Sequence, residues 1–360
     1  MMKKFLSILL LLLILASCAK PAESDMYAKY QVDFMGLFDT YSVIVGYAKT
    51  QDDFTEFGQI IHASLEEQQR YFDIYKTYEG VNNLKTINDQ AGIAPVYVDQ
   101  AIIDLLLFCK DAYYHTDGIV NATMGSVLSI WHDYRTKGRE NPEDAQLPTR
   151  EELEAAVLLT NIDDLVIDEE NQTVFLKHEG MSLDVGSIAK GFAAQIAVEK
   201  AKEAGLTSVL ASIGGNIISV GRPLDSIRDR WGVGIQDPNL SIQGVSNILD
   251  TIYVNDISVV SSGSYERYFI VDGKAYSHII DPSTLMPAER FKEVTVLDEN
   301  SGLADVLSTA IYILPFEEGK ALIEKMGAEA LWILPDDSLL ATEGYQRISK
   351  SLGDYSAVDQ

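Results

Sequence analysis

Among the five histidines of the 360-residue chain, His278 has the surroundings best suited to chemistry. It lies in the segment AYSHIIDPSTLMP (275–287), close to an Asp-Pro pair and a threonine. An imidazole whose pKa is near its ordinary value of about 6.5 can accept a proton at neutral pH, which makes His278 a candidate general base. A purely structural histidine in a strand that ends in an Asp-Pro turn is the alternative. This segment by itself leaves both readings open.

A carboxylate and a hydroxyl stand four residues apart in LADVLSTAIYIL (303–314). Asp305 and Thr309 share one face if this segment is helical, and Mg²⁺ prefers such oxygen ligands, with phosphate oxygens completing its shell. The alternative is structural: Asp305 would favour the first turn of the helix, and Thr309 would bond back to a carbonyl.

Two glycine-containing segments could surround a phosphate. LDVGSIAKGFA (183–193) runs from a strand-like end into a helix that carries Lys190, so free backbone N–H groups and an ammonium would lie together. It matches neither the Walker A motif nor the dinucleotide-binding fingerprint, and tight helix–sheet packing would also require glycine. Gly214-Gly215-Asn216 is either a hairpin turn or a second backbone cradle.

Other kinds of catalytic centre find little support. Ser261 and Ser262 could be nucleophiles, but no GxSxG elbow surrounds them, so a serine-rich strand end is the simpler reading. The chain has two cysteines and no CxxC pair, which argues against thiol redox chemistry and structural zinc. Cys109, in a helix-like segment, is expected to be a buried apolar side chain. Cys18, at the end of an N-terminal apolar segment, is expected to carry a lipid, so no pair of cysteines is left for a disulfide.

The elements expected to position these residues give a mixed α+β fold. Helices are predicted by apolar spacing in 54–72 and 98–115, by a capping box of Thr149 and Glu152, and by the alanine-rich segment that Gly205 ends. His62 should be partly buried in the first of these helices. A hairpin is predicted in 165–177. Strands are predicted at the following ranges, with a final helix–strand–strand stretch: 41–48, 207–213, 216–220, 231–236, 252–260, 266–271 and 275–280.

The N-terminus and the composition narrow the cellular context. MMKKFLSILLLLLILASCAK has two lysines, an apolar run and Leu15-Ala16-Ser17-Cys18, which is typical of a lipoprotein signal peptide. We therefore expect a signal peptide (1–17), a tether (18–32), a main domain (33–345) and a C-terminal tail (346–360), exported and anchored to the bacterial membrane through Cys18. The net charge of −26 argues against nucleic-acid binding.

A series of blocks in this order resembles the ApbE family of FAD:protein FMN transferases. The blocks are DVGSIAKGFA, SIGGN, GIQDP, SSGSYERYF, YSHIIDPST and ADVLSTA, preceded by FMGLFDTYSVIV, FDIYKTYEGVNNLKTIN and DGIVNATMGSVLSIW. The resemblance implies a T-fold-like α+β core with FAD in a cleft between subdomains. It also implies Mg²⁺-dependent transfer of FMN from FAD to a threonine or serine of a partner protein, with release of AMP.

The resemblance also assigns roles to individual residues. His278 matches the general base, and Asn88 matches an asparagine of catalytic, metal-using members. The metal ligands would be Asp305, Thr309 and the carbonyl of Ser187. The residues against FAD would be Met35, Tyr75, Asn121, Asp184, Lys190 and the neighbourhood of Ile280.

The sequence differs from the family pattern at two positions, and it leaves two alternative functions open. Leu285 stands where the family commonly has glycine, and MGLFDT is looser than the common MGT form around Met35. The partner implied is a flavin-carrying subunit of a membrane redox complex or an exported reductase. The alternatives are an FAD pyrophosphatase that gives FMN and AMP, and a lipoprotein that only binds FAD.

Overall fold

The computed structural model describes residues 26–239, 248–264, 267–353 and 355–358. The expected signal peptide and Cys18 lie outside these ranges. In the described part of the chain, no helix combines the length and the apolar character needed to cross a bilayer.

Strands and helices both occur throughout the described chain, and most of the strands lie between residues 209 and 298. The strands are β1 (Ala28–Leu37), β2 (Thr40–Ala48), β3 (Val96–Tyr97), β4 (Leu165–Asp168), β5 (Thr173–Leu176), β6 (Val209–Ile213), β7 (Asn216–Val220), β8 (Trp231–Gln236), β9 (Ile248–Val254), β10 (Ser258–Gly263), β11 (Tyr268–Val271), β12 (Lys274–Ser277), β13 (Ile280–Asp281), β14 (Met286–Pro287), β15 (Glu293–Asp298), β16 (Glu329–Ile333) and β17 (Leu339–Ala341). The helices are α1 (Gln51–Phe72), α2 (Leu84–Asp89), α3 (Gln100–His115), α4 (Gly125–Glu140), α5 (Arg150–Val157), α6 (Ala189–Glu203), α7 (Ser301–Ile313), α8 (Phe316–Met326), α9 (Glu343–Ile348) and α10 (Lys350–Gly353). The mixed α+β fold class is confirmed.

An eight-stranded antiparallel sheet forms the centre of the fold. Its strand order is β1-β2-β6-β7-β10-β15-β16-β17. Helices α1, α6 and α7 pack on it, and their apolar faces bury the main hydrophobic core. The β8–β9 hairpin and α9 enclose a second apolar cluster with residues of β10, β15 and β16. The sheet is therefore covered by apolar packing on both faces.

A third apolar cluster forms a small subdomain beside the sheet. It joins α4 and α5 to the short strands β11–β14, with Trp131 and Phe269 at its centre. The Trp131 indole N–H donates to the carbonyl of Leu285 at 2.9 Å, which ties α4 to the turn before β14. Helix α4 and the β11–β12 hairpin, which are distant in the chain, thus pack together in this subdomain.

Several local predictions are confirmed. Thr149 and Glu152 form the reciprocal capping box at the start of α5. Gly205 has φ +109° just after α6, in the left-handed region that favours glycine. His62 is half-buried and meets Phe34 edge-to-face, with ring centroids 5.0 Å apart. Cys109 is fully buried, and burial raises the pKa of its thiol far above the ordinary value.

Other boundaries differ from the prediction. The single strand expected at 252–260 is two strands, β9 and β10, because the chain turns at Asp256 with φ +53°. The strand expected at 275–280 divides into β12 and β13, with His278 in the bend between them. Its apolar pattern continues across the break because Tyr276 and Ile280 pack in the small subdomain and Ile279 is buried in the main core.

Ordered packing continues beyond the predicted domain bounds of 33–345. Residues 28–32 belong to β1, whose alternating pattern continues to Ala28 opposite Ala48. At the other end, Tyr345 and Ser349 are fully buried and donate hydrogen bonds to the buried carboxylate of Asp250. The packed domain therefore extends beyond 33–345 at both ends.

Candidate active site

A cleft between the small subdomain and helices α6 and α7 gathers most of the predicted site residues. Its larger lobe has a volume of about 250 Å³, and an adjoining smaller lobe has about 200 Å³. The two lobes meet at Tyr75, Asp184, Gly186, Lys190 and Arg267. Nine of the eleven predicted residues line the larger lobe: Tyr75, Asn121, Asp184, Ser187, Lys190, His278, Ile280, Asp305 and Thr309.

The turn that leads into α6 presents Asp184 and Lys190 to both lobes. The Asp184 carboxylate accepts the N–H of Gly186 at 2.8 Å, which closes the turn. Burial raises the pKa of Asp184, although the Gly186 N–H and the cationic Arg135 oppose this. Lys190 extends from the first turn of α6, and its ammonium donates to Asn216 at 3.0 Å. The turn thus places two side chains in the cleft lining: the ammonium of Lys190 and the carboxyl group of Asp184, whose pKa is raised.

Asp305 is held in place by a backbone group of the facing helix. Its Oδ2 accepts the N–H of Gly191 at 2.8 Å, and the residue is only 4% exposed. A Cβ on Gly191 would overlap the Ser301 carbonyl oxygen and lie 2.7 Å from the Asp305 Cβ. Glycine is therefore required here by close helix–helix packing, and not by the helix–sheet packing that the sequence suggested.

The oxygen atoms beside this contact suit a magnesium ion. In a regular helix the Gly191 N–H would reach the carbonyl of Ser187, but here it donates to Asp305. Ser187, Asp305 and Thr309 all line the cleft, so a carbonyl, a carboxylate and a hydroxyl group belong to its lining residues. The structural alternative for Asp305 fails, because α7 begins at Ser301 after the cap Asn300, and its first turn has no acidic residue.

The described residues contain no group of three histidine, cysteine, aspartate or glutamate side chains that could hold a metal by themselves. Mg²⁺ commonly binds through one or two carboxylates together with waters and substrate phosphates. The donor set of Asp305, Thr309 and Ser187 therefore fits an ion that shares its shell with a phosphorylated ligand.

His278 is oriented by one carbonyl group. Its backbone N–H and its ring Nδ1 both lie against the carbonyl oxygen of Arg267, at 3.1 Å and 3.2 Å. Because a carbonyl only accepts, Nδ1 carries the proton in the neutral ring and Nε2 keeps the lone pair. Burial, Arg267, Arg135 and Lys190 lower the pKa of His278 to about 4. The ring is therefore neutral at physiological pH and has a free basic nitrogen.

The departure at Leu285 leaves the following turn intact. Leu285 has φ +61°, the left-handed conformation that a glycine would adopt without strain. Its N–H donates to the carbonyl of Asp281 at 2.8 Å, and the side chain is buried in the small subdomain. The turn beyond His278 is closed by this hydrogen bond.

Asn88 lies behind the cleft and not in its lining. Its side-chain amide donates to the carbonyl of Leu183 at 3.0 Å and accepts the Leu183 N–H at 2.7 Å. The Asn88 side chain thus bonds both backbone groups of Leu183, as a neighbouring strand would, and holds the residue before Asp184 in place. The predicted catalytic residue Asn88 is therefore placed as a support of the turn, without contact to the cleft.

Met35 is also absent from the cleft lining. It is 78% exposed on β1, three residues before the β1–β2 turn. The turn itself brings Phe38, Asp39 and Thr40 to the cleft. Phe38 and Asp39 have φ +51° and +54°, a conformation that costs about 1–2 kcal/mol per residue outside glycine. No Asn-Gly or Gly-Gly pair marks this turn, so the sequence did not indicate that Phe38 would line the cleft; the contact of Met35 with FAD stays a prediction.

The remaining predicted residues form walls. Tyr75, at the junction of the lobes, has its ring centroid 5.5 Å from that of His132 and is 60% exposed. Asn121 donates to the carbonyl of Thr160 and accepts from Thr123, so its polar groups are engaged within the protein. Ile280 is buried in the third apolar cluster and contributes an apolar surface.

The two serines at the end of β10 also line the larger lobe. The hydroxyls of Ser262 and Ser308 are 2.8 Å apart, as are those of Ser261 and Thr295. Each hydroxyl is thus paired with another hydroxyl and not with a base, which is no arrangement for a nucleophile. The strand-end reading of these serines agrees with the structure.

Sequence reasoning missed two cations. Arg135 on α4 and Arg267 before β11 both line the larger lobe. Arg267 had a signal in the sequence, because it lies in the block SYERYF, whereas Arg135 lies four residues beyond the end of DGIVNATMGSVLSIW and had none.

Comparisons with known proteins agree with the resemblance. The chain matches the ApbE family model over residues 35–332. The FAD:protein FMN transferase of Treponema pallidum is 34% identical over 301 residues, covering 79% of this chain and 80% of that protein. The enzyme of the same description from Vibrio cholerae is 30% identical over 343 residues, covering 93% and 95%.

Solved structures share the fold. The ApbE protein of Thermotoga maritima has a TM-score of 0.75 and 28% identity, over 89% of this chain and 99% of that chain. The flavin transferase ApbE of Vibrio cholerae has a TM-score of 0.73 and 26% identity, over 89% and 100%. The expectation of an ApbE-like core is therefore confirmed.

Proposed function

Because the chain belongs to the ApbE family, we propose that it transfers FMN from FAD to a hydroxyl group of an acceptor protein. The observation that carries the proposal is the common cleft. Residues from α6, α7, the 183–187 turn and the small subdomain, far apart in sequence, line one cavity. They bring together a neutral imidazole, an ammonium and a set of hard oxygen ligands, which a phosphoryl transfer requires.

His278 is the general base of this reaction. Its Nε2 accepts the proton of a threonine or serine hydroxyl, and that oxygen attacks the phosphorus on the FMN side of the pyrophosphate. The bond from this phosphorus to the bridging oxygen breaks, and the bridging oxygen leaves with AMP. The carbonyl of Arg267 keeps Nδ1 protonated, so the basic nitrogen stays directed away from the protein backbone.

Asp305, Thr309 and the Ser187 carbonyl would hold Mg²⁺, which supplies charge neutralisation to the pyrophosphate when it is bound. The Gly191 N–H supports this role by holding one carboxylate oxygen of Asp305, a residue of the cleft lining. Lys190 and Asp184 border the same space, and Tyr75 and Ile280 supply apolar walls for the flavin or the adenine.

The cellular setting completes the proposal. The N-terminal segment that ends in Leu15-Ala16-Ser17-Cys18 supports export and attachment to the membrane through a lipid on Cys18. The acceptor is a flavin-carrying subunit of a membrane redox complex or an exported reductase, which this location would bring close.

One experiment tests the reaction. The protein is incubated with FAD, Mg²⁺ and a candidate acceptor domain that carries an exposed threonine, and AMP and covalently bound flavin fluorescence are measured. Equal amounts of AMP and labelled acceptor are expected, and both should disappear in Asp305→Ala. AMP without labelled acceptor would identify an FAD pyrophosphatase, and FAD binding without either product would identify a binding protein. Either of these results would overturn the proposal.

A further inference from the structure

Three cationic side chains meet in the larger lobe of a strongly acidic protein. Arg135, Lys190 and Arg267 all line it, although the chain carries a formal net charge of −26. All three lower the pKa of His278, and Arg135 and Arg267 also act on the pKa of Tyr75. They therefore face one common space from α4, α6 and the segment before β11.

Within the described residues, none of the three cations forms an ion pair with a carboxylate. The guanidinium of Arg135 lies 2.9 Å from Nδ1 of His132, and Lys190 donates to the amide oxygen of Asn216. Elsewhere on this protein, exposed arginines such as Arg70, Arg150 and Arg347 pair with a glutamate one turn away.

Keeping like charges together in a half-buried cleft is unfavourable unless an anion joins them. Burial and the neighbouring Arg267 lower the pKa of Arg135, which reflects this unfavourable surrounding. The lobe contains only two carboxylates, Asp184 and Asp305, and within the described residues neither forms an ion pair with the three cations, which outnumber them. The space therefore suits a ligand with at least two negative charges.

We propose that Arg135 and Arg267, together with Lys190, form an anion clamp that binds the pyrophosphate of FAD and stabilises the AMP phosphate as it leaves. This rests on the proposed function for its substrate, whereas the anion-binding site itself does not depend on the transfer reaction. During the step, the acceptor oxygen forms its bond to the FMN phosphorus. The electron pair of the broken bond passes to the bridging oxygen of AMP, and the added charge falls next to the guanidinium groups. Planar guanidinium groups suit such phosphate oxygens because they can donate two parallel hydrogen bonds.

The clamp also lies beside the base. The Arg267 carbonyl orients His278 while its side chain faces the cleft, so one residue connects the position of the base with that of the phosphate. Replacing the side chain leaves this carbonyl in place. A glutamine at position 267 therefore removes the charge without removing the hydrogen bonds that hold His278.

The test measures binding of inorganic pyrophosphate by calorimetry in the presence of EDTA, so that no divalent ion contributes. Arg135→Gln and Arg267→Gln should each weaken binding by about tenfold or more, the loss expected for a charge-assisted hydrogen bond. Each should also reduce the dependence of binding on salt concentration. Arg139→Gln is the matched control, since Arg139 is exposed on α4 one turn from Arg135 and outside the cleft lining; it should bind as the wild type does.

The outcomes separate the clamp from the transfer reaction. Pyrophosphate binding that is unchanged in both cleft variants, or absent in the wild type, overturns the clamp even if FMN transfer occurs. A loss of binding in both variants with an unaffected control supports it. If that loss is seen but the wild-type protein labels no acceptor, the transfer proposal fails and the anion site stands. Arg135→Lys and Arg267→Lys keep the charge and should retain more binding than the glutamine variants, which guards against loss through misfolding.

Discussion

Replacing Gly191 by alanine tests how the metal side of the cleft is built. The residue lies where α6 crosses α7, and its N–H donates to Oδ2 of Asp305 at 2.8 Å. A methyl group there would overlap the carbonyl oxygen of Ser301 and lie 2.7 Å from the Asp305 Cβ. Both neighbours belong to a buried helix and are not the ends of flexible side chains. The two helices must therefore separate, and the hydrogen bond to Asp305 must lengthen.

The expected loss of stability follows from three contributions. Overpacking in a buried helix contact costs about 1–3 kcal/mol. Losing a hydrogen bond to a charged group costs about 1.5–3 kcal/mol. The higher helix propensity of alanine recovers about 1 kcal/mol. The net destabilisation is therefore on the order of 2–5 kcal/mol.

Urea unfolding measures this stability change, and titration of FAD binding with Mg²⁺ measures the effect on the metal side. Gly191→Ala should weaken the Mg²⁺ dependence, because Asp305 and the Ser187 carbonyl both lose their present positions. Gly232→Ala on β8 is the control: its added Cβ would have its nearest neighbour at 3.4 Å, an ordinary contact, and it lies outside the cleft lining. A Gly191→Ala protein as stable as this control, with unchanged Mg²⁺ dependence, would refute the reasoning.

Three further predictions concern the base, the supporting asparagine and the β1–β2 turn. The pKa of His278 is about 4 in the folded protein and near its ordinary value of about 6.5 when unfolded. As the pH falls, the unfolded state therefore takes up this proton before the folded state does, and the free energy of unfolding should fall between about pH 6.5 and about pH 4. His278→Gln should make the free energy of unfolding less dependent on pH in this range, as measured by unfolding at several pH values. Asn88→Asp keeps the acceptor for the Leu183 N–H but loses the donor to the Leu183 carbonyl. The free energy of unfolding should fall by about 1–3 kcal/mol, and FAD should bind more weakly. Unchanged stability and FAD binding would contradict the supporting role of Asn88. Phe38→Ala should weaken FAD binding in a fluorescence titration, because Phe38 lines the cleft. Met35→Ala should change the FAD affinity by no more than about twofold, because Met35 is exposed and outside the lining. A larger loss of affinity in Met35→Ala than in Phe38→Ala would support Met35 as the contact.

Local signals along the chain predicted much of the fold. The apolar spacing of α1 and α3, the capping box before α5 and the glycine after α6 act over a few residues, so the sequence shows them directly. The break between β9 and β10 was missed because it depends on Asp256 adopting a left-handed conformation inside an apolar run. Asn255 and Asp256 favour a turn and tolerate that conformation but do not require it, so they did not by themselves exclude one continuous strand.

The candidate site was predictable where a block combined distinctive residues at fixed spacing. The pairs Asp305–Thr309 and Asp184–Lys190 reached the cleft as expected. Met35 did not, because the residue that enters the cleft depends on where the hairpin turns, and that lies three residues later at Phe38. Arg135 could not be selected from sequence alone, since only the packing of α4 against β11–β14 brings it opposite Lys190.

Leu285 shows how a departure from the family pattern can preserve the geometry that the pattern serves. The left-handed backbone at this position costs a non-glycine residue about 1–2 kcal/mol. Burying a leucine side chain contributes about 1.5–3 kcal/mol, and Leu285 is only 6% exposed among the apolar residues of the small subdomain. Its carbonyl also accepts the Trp131 indole N–H, a bond that depends on this backbone conformation. Because the gain from burial offsets the strain, the turn that begins at Asp281 keeps its hydrogen bond, and His278 stays at the edge of the cleft where a base is needed.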